Sequence, residues 1–219
     1  MNKKRVLIVC LSILAVATLA IGGTLAWMNA NTNVVNNAFT LAMTGGEDAA
    51  MQARIVETFD PEDAQNLVPG ESVEKVLTVE NTSTKDIDVW VAVMLTFEMV
   101  DPEGSPANME TLNNVIELQL SASTAGAGNV FGADWVRKNT GVLTEKEIFY
   151  YNAKLEQGGS TTSLIDKVNI LASAGNEDID TINEWKGFNI KASGAIVQGD
   201  ADSELNETQI REALDDLLG

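Results

Sequence analysis

A chain of 219 residues with 14 basic and 32 acidic side chains, net charge −18, lacks the cationic clusters that hold phosphate backbones or anionic headgroups, so nucleic acid is not expected as a partner. It has no histidine and one cysteine, Cys10, which removes Ser-His-Asp and Cys-His nucleophiles, His-Glu-x-x-His zinc helices, thiolate zinc sites and disulfide frameworks together. The length suits one sizeable domain.

Residues 1–26 have the anatomy of an export signal. Lys3, Lys4 and Arg5 precede an uncharged apolar run over 6–21, then Gly22-Gly23 and Thr24-Leu25-Ala26. The slim residues Thr24 and Ala26 suit the shallow pockets of a signal peptidase, which sets the expected cut between Ala26 and Trp27. The alternative is an uncleaved anchor, because the uncharged stretch continues to Met28 and approaches the ~20 residues of a spanning helix. Under the export reading the membrane is met only in transit, and the secreted part, 27–219, is a single cysteine-free domain. Val9 before Cys10 and the apolar run beyond it argue against lipidation.

In chain order, a polar lead is followed by a short strand at 34–41, where Val34, Val35, Phe39 and Leu41 are mixed with asparagines. A second strand is expected over 54–59, ended by Asp60-Pro61, where proline lacks the amide that a ladder needs. Pro69-Gly70 predicts a turn, proline fixing φ and glycine accepting positive φ, and a strand over 73–80 follows. The clearest period is Ile87, Val89, Val91, Val93, Leu95 and Phe97, all on one face of a core strand, with Asp88, Trp90, Ala92, Met94 and Thr96 on a partly covered opposite face. Residues 101–106 read as a loop and 109–120 as a short helix running into a strand. Strands are expected over 147–155, 164–171 and 188–197, separated by the turn at Gln157-Gly158-Gly159-Ser160 and an acidic segment over 176–184. Residues 206–218 place Ile210, Ala213, Leu214, Leu217 and Leu218 at helical spacing, an amphipathic C-terminal helix. Many short strands with peripheral helices predict an all-β chain, a jelly-roll-like β-sandwich preceded by a signal-peptide helix.

Chemistry is sparse. No pair among the 32 acids stands out as a glycosidase dyad, and no glycine-rich phosphate loop is present, so the chain is not expected to be an enzyme. No cofactor is expected; calcium is the alternative left open by Asp60, Glu62 and Asp63 and by Asn176, Glu177, Asp178 and Asp180, although neither group fits the twelve-residue calcium loop. Trp27, Trp90, Trp135 and Trp185 read as core or interface groups ahead of carbohydrate platforms.

Gly22-Gly23-Thr24-Leu25-Ala26-Trp27 followed by Asn36-Asn37-Ala38-Phe39-Thr40 resembles exported proteins processed by a SipW-type signal peptidase, the TasA, camelysin and BsaA-like biofilm matrix family. The resemblance continues through Val68-Pro69-Gly70-Glu71-Ser72-Val73-Glu74-Lys75, Glu80-Asn81-Thr82-Ser83, Val89-Trp90-Val91, Phe149-Tyr150-Tyr151-Asn152-Ala153-Lys154-Leu155, Ile190-Lys191-Ala192 and Ala195-Ile196-Val197-Gln198, closest to the BsaA-like branch. It implies a jelly-roll subunit secreted to the matrix or cell surface, partnered by the SipW-type peptidase, by other matrix proteins and by copies of itself. TasA-type members assemble by donating an N-terminal strand, which would make 27–41 the donor arm, anchored by Val34, Val35, Phe39 and Leu41; the alternative is a first strand folded back on its own sheet. The sequence departs from the pattern at Met28-Asn29, after the expected cut. Camelysin-like relatives are classed as metallopeptidases, a competing reading that the absent histidine disfavours; a monomeric surface module binding a cation or glycan is the third.

Overall fold

The computed structural model describes residues 24–25, 37–42, 50–60, 62–64, 67–84, 86–99, 105–121, 124–125, 134–184, 187–198 and 207–219. These residues are mostly β, with two largely antiparallel sheets and three helices among them, an all-β sandwich. The strands are β1 (Thr24–Leu25), β2 (Asn37–Ala42), β3 (Ala50–Phe59), β4 (Ser72–Asn81), β5 (Val89–Met99), β6 (Ile116–Leu120), β7 (Thr124–Ala125), β8 (Trp135–Arg137), β9 (Lys146–Tyr151), β10 (Ile165–Ile170) and β11 (Phe188–Gln198). The helices are α1 (Met109–Val115), α2 (Asn176–Glu184) and α3 (Glu207–Leu218). One sheet runs β1-β11-β5-β9-β8-β7 and the other β2-β3-β4-β10-β6.

The alternation in β5 sets the core. Ile87, Val89, Val91, Val93, Leu95 and Phe97 are all buried, and β5 pairs with β11 without a break from Phe188↔Met99 to Gln198↔Val89. Their inner faces meet Ile55, Leu77, Val79, Ile165 and Val168 of the opposing sheet, with Phe149 beside them, in one apolar layer. The turn at Pro69-Gly70 forms as its residues require: Gly70 has φ 95°, and the Glu71 amide donates to the Val68 carbonyl at 3.0 Å. Gly158, φ 72°, turns the chain back so that its amide and the Gly159 carbonyl both bond to the backbone of Asn81.

The opposite face of β5 is covered by α3. Ile210, Leu214 and Leu218 pack on Ala92, Met94, Tyr150 and Ala195, where Ala195, Ala92 and Tyr150 stand in one cross-strand row. Two alanines side by side leave the sheet low enough there for a helix to lie on it. The expected helix over 109–120 divides as predicted into α1 and β6, with Asn108 capping the Glu110 and Thr111 amides.

Other expectations need correction. The acidic segment 176–184, given no element from the sequence, is α2; only Ile182 of its nine residues is buried, too few apolar positions to give a helical period. The strand expected over 147–155 is shorter: β9 ends at Tyr151, and Leu155 joins Val89 through an isolated bridge. β3 starts at Ala50, four residues before the expected 54, carried outward by pairing with β2 and not by its own apolar pattern. Of the segment read as a signal helix, Thr24 and Leu25 are described and form β1; the rest of 1–26, the cut at Ala26 and Trp27, and Val34 and Val35 lie outside the described residues.

Candidate assembly edge

The side of the sandwich where β11 lies across from β2 and β3 is closed by N-terminal segments in both sheets. β1 borders β11, with Thr24↔Asn189 and Leu25↔Phe188, and β2 borders β3 over six register pairs from Asn37↔Ile55 to Ala42↔Ala50. Among the described residues each is an outermost strand with a single neighbour. Phe39 stands opposite Ala53 in register and Leu41 opposite Met51. Among the described residues β2 is laddered to β3 and to no other strand, so removing it would break that pairing alone.

β3, the strand that β2 borders, is held independently of it. Across β3 and β4, seven register pairs run from Ala53↔Asn81 to Phe59↔Lys75, and Arg54 forms an ion pair with Glu80 on the half-exposed face. At the end of β4, Asn81 is fully buried; its side-chain amide donates to the carbonyls of Ile87 and Leu155, both at 2.8 Å, and its carbonyl accepts the Ser83 amide at 3.0 Å. Thus the motif Glu80-Asn81-Thr82-Ser83 is a joint tying β4, the approach to β5 and the turn after Leu155. Ser83 extends the joint by accepting the Gln52 amide at 3.1 Å.

The candidate calcium ligands do not converge. The Asp60 carboxylate accepts the Glu62 amide at 2.8 Å, a local turn, while Asn176, Glu177, Asp178 and Asp180 are carried on α2, where helical geometry spreads them around the axis. Among the described residues there is no group of three or more acidic side chains placed to hold a metal ion, and no helix long and apolar enough to cross a membrane.

Of the tryptophans, Trp135 is fully buried, donates its indole N–H to the Thr162 carbonyl at 3.0 Å and meets Tyr151 edge-on at 5.1 Å. Trp90 is half-buried and, with Tyr150, Tyr151, Ile210, Arg211 and Leu214, lines a cavity of about 30 Å³, room for one water and too small for a sugar ring. Trp27 and Trp185 lie outside the described residues.

Sequence reasoning missed three polar contacts. Buried Glu147 on β9 pairs with Arg137 on β8, Lys75 on β4 pairs with Glu57 on β3, and Tyr150 donates to Asp215 of α3 at 2.5 Å. Burial, then the bond to Asp215, pushes the Tyr150 hydroxyl well above its ordinary range. Lys75 had a readable signal, since it shares the inward parity of β4 with Val73, Leu77 and Val79.

No protein-family model, curated protein or solved structure matches this chain.

Proposed function

We propose that this chain is a secreted structural subunit of the biofilm matrix or of cell-surface fibres, a jelly-roll sandwich without catalytic activity, joined to its neighbours by exchange of the N-terminal strand. The observation that carries the reading is the position of β2, an outermost strand whose departure costs one six-residue ladder and leaves β3, β4 and their core contacts in place. An edge left by that departure has unpaired amides and carbonyls, which the same segment of a neighbouring copy satisfies residue for residue. The crossovers between sheets, with β10 between β4 and β6 and β11 beside β5, are compatible with jelly-roll winding. The acid-rich composition keeps free subunits apart through mutual repulsion until the strand is exchanged.

In this reading the arm is 27–41, freed by a SipW-type peptidase that cuts between Ala26 and Trp27. The test is electron microscopy with size-exclusion chromatography of the chain beginning at Trp27, alongside one beginning at Thr44. Filaments or an oligomer ladder from the first and monomers from the second are expected. Equal filament yield from both removes the arm from the mechanism; monomers from both, with and without calcium, remove the fibre reading itself.

A further inference from the structure

Lys75 occupies an unusual place for an ammonium. It lies on the inward face of β4 between Val73 and Leu77, with its side chain wholly inaccessible, and its Nζ meets one Glu57 carboxylate oxygen. The ring of Phe59, its register partner on β3, lies 5.1 Å from Nζ. An ammonium has three N–H donors to satisfy. Here one carboxylate oxygen and one ring face stand against them, whereas the Arg137 guanidinium spends its donors on Glu147 and on the carbonyls of Gly141 and Val142. Burial pulls the Lys75 ammonium below its ordinary pKa, and the opposing effect of Glu57 is the smaller one. The Lys75 nitrogen, a nucleophile once it gives up its proton, is already in contact with a carboxyl group on the adjacent strand.

We propose that Lys75 and Glu57 are joined through an amide bond between Nζ and Cδ, a self-formed modification that staples β3 to β4. Transfer of one proton from Nζ to the carboxylate converts the ion pair into amine and carboxylic acid, an exchange that a dry, apolar surrounding favours. The amine lone pair attacks Cδ, and the tetrahedral adduct loses its hydroxyl as water, taking a second proton from nitrogen. One N–C bond forms, one C–O bond breaks, one water leaves and no oxidant or cofactor is consumed. Fixed contact between the two groups replaces the second-order encounter of free amine and acid. The closed loop spans the 18-residue separation of the pair, including the Pro69-Gly70 turn and the buried Ala64 and Leu67. In a domain whose only cysteine precedes the expected cut, this bond takes the place of a disulfide.

The test is the intact mass of the full chain isolated from cells and unfolded in urea, with a tryptic map. The bond predicts a mass one water below that of the sequence, no cleavage after Lys75, and a branched peptide joining the segments that hold Glu57 and Lys75. Lys75→Met and Glu57→Leu should each restore the full mass; because mass is read on unfolded chains, the result stands even where a variant folds poorly. Full mass with cleavage after Lys75 in the unaltered chain overturns the proposal, as does a missing water that maps to other residues. Neither outcome bears on fibre assembly, which the arm-deletion experiment tests separately.

Discussion

Glu147 and Glu57 are both acids on inward-facing strand positions paired with a cation, yet their surroundings differ. Around Glu147 every charge is answered: one oxygen accepts the Thr144 amide at 2.6 Å and its hydroxyl at 2.8 Å, the other accepts Arg137 Nε at 2.7 Å. Arg137 then holds the Gly141 and Val142 carbonyls, so this pair folds the β8–β9 connection around itself. Among the described residues Lys75 has only Glu57 and the Phe59 ring, at the end of a regular ladder whose other pairs need no such help. A buried pair with a full set of partners is architecture; one with an under-served ammonium is poised for chemistry.

The largest effect is expected at the satisfied pair. Glu147→Ala leaves the Arg137 charge buried without its carboxylate and should cost about 3–5 kcal/mol in urea unfolding, with Glu147→Gln recovering part of it. Next, the double variant Lys75→Met with Glu57→Leu separates two accounts of the other site. A simple buried ion pair replaced by apolar residues of similar volume gives a change near zero or a gain. A lost covalent staple closing a loop of this length costs about 3 kcal/mol, so the sign of the change decides.

An uncharged joint calibrates both. Asn81→Ala strands the Ile87 carbonyl and leaves the Leu155 carbonyl with the Val89 amide alone, and should lower stability by about 2 kcal/mol, at salt-independent cost, unlike the charged sites. The smallest effect belongs to the phenol under α3: Tyr150→Phe removes the bond to Asp215 for about 1 kcal/mol. Its pH dependence follows from the raised folded-state pKa. The folded state disfavours phenolate, so this contribution is complete below the unfolded value of about 10 and is lost as pH rises above it. Tyr150→Phe should flatten the alkaline limb of the stability curve.

The sequence carried the architecture where burial follows a strict period. From Ile87 to Phe97 the six alternating apolar residues, five of them in β5, all reach the core, and in α3 Ile210, Leu214 and Leu218 do the same. Proline and glycine located the turn before β4 because their backbone limits act without tertiary help. The failures have physical causes too. α2 buries one side chain and so has no stripe, and β7 and β8 are too short to show an alternation. For the proposed assembly edge, the β-branched and aromatic content near 34–41 pointed to a strand, and among the described residues 37–42 ladder with β3, whereas the partner was a matter of topology. The buried pairs were the least legible, since a lysine within an alternating strand is ordinarily a solvated side chain and only its parity with Val73 and Leu77 says otherwise.

The alanine row beneath α3 ties two distant stretches of the gene together. With Ala92 and Ala195 as neighbours, a branched side chain at either position would lift Ile210 and Leu214 from the sheet, while loss of the helix would leave Met94 and Tyr150 bare to solvent. Substitutions at 92 or 195 and truncations of the C-terminus are therefore each harmful alone and mutually permissive together. Among descendants of this chain, the size of those two residues and the presence of the terminal helix should be inherited as one character.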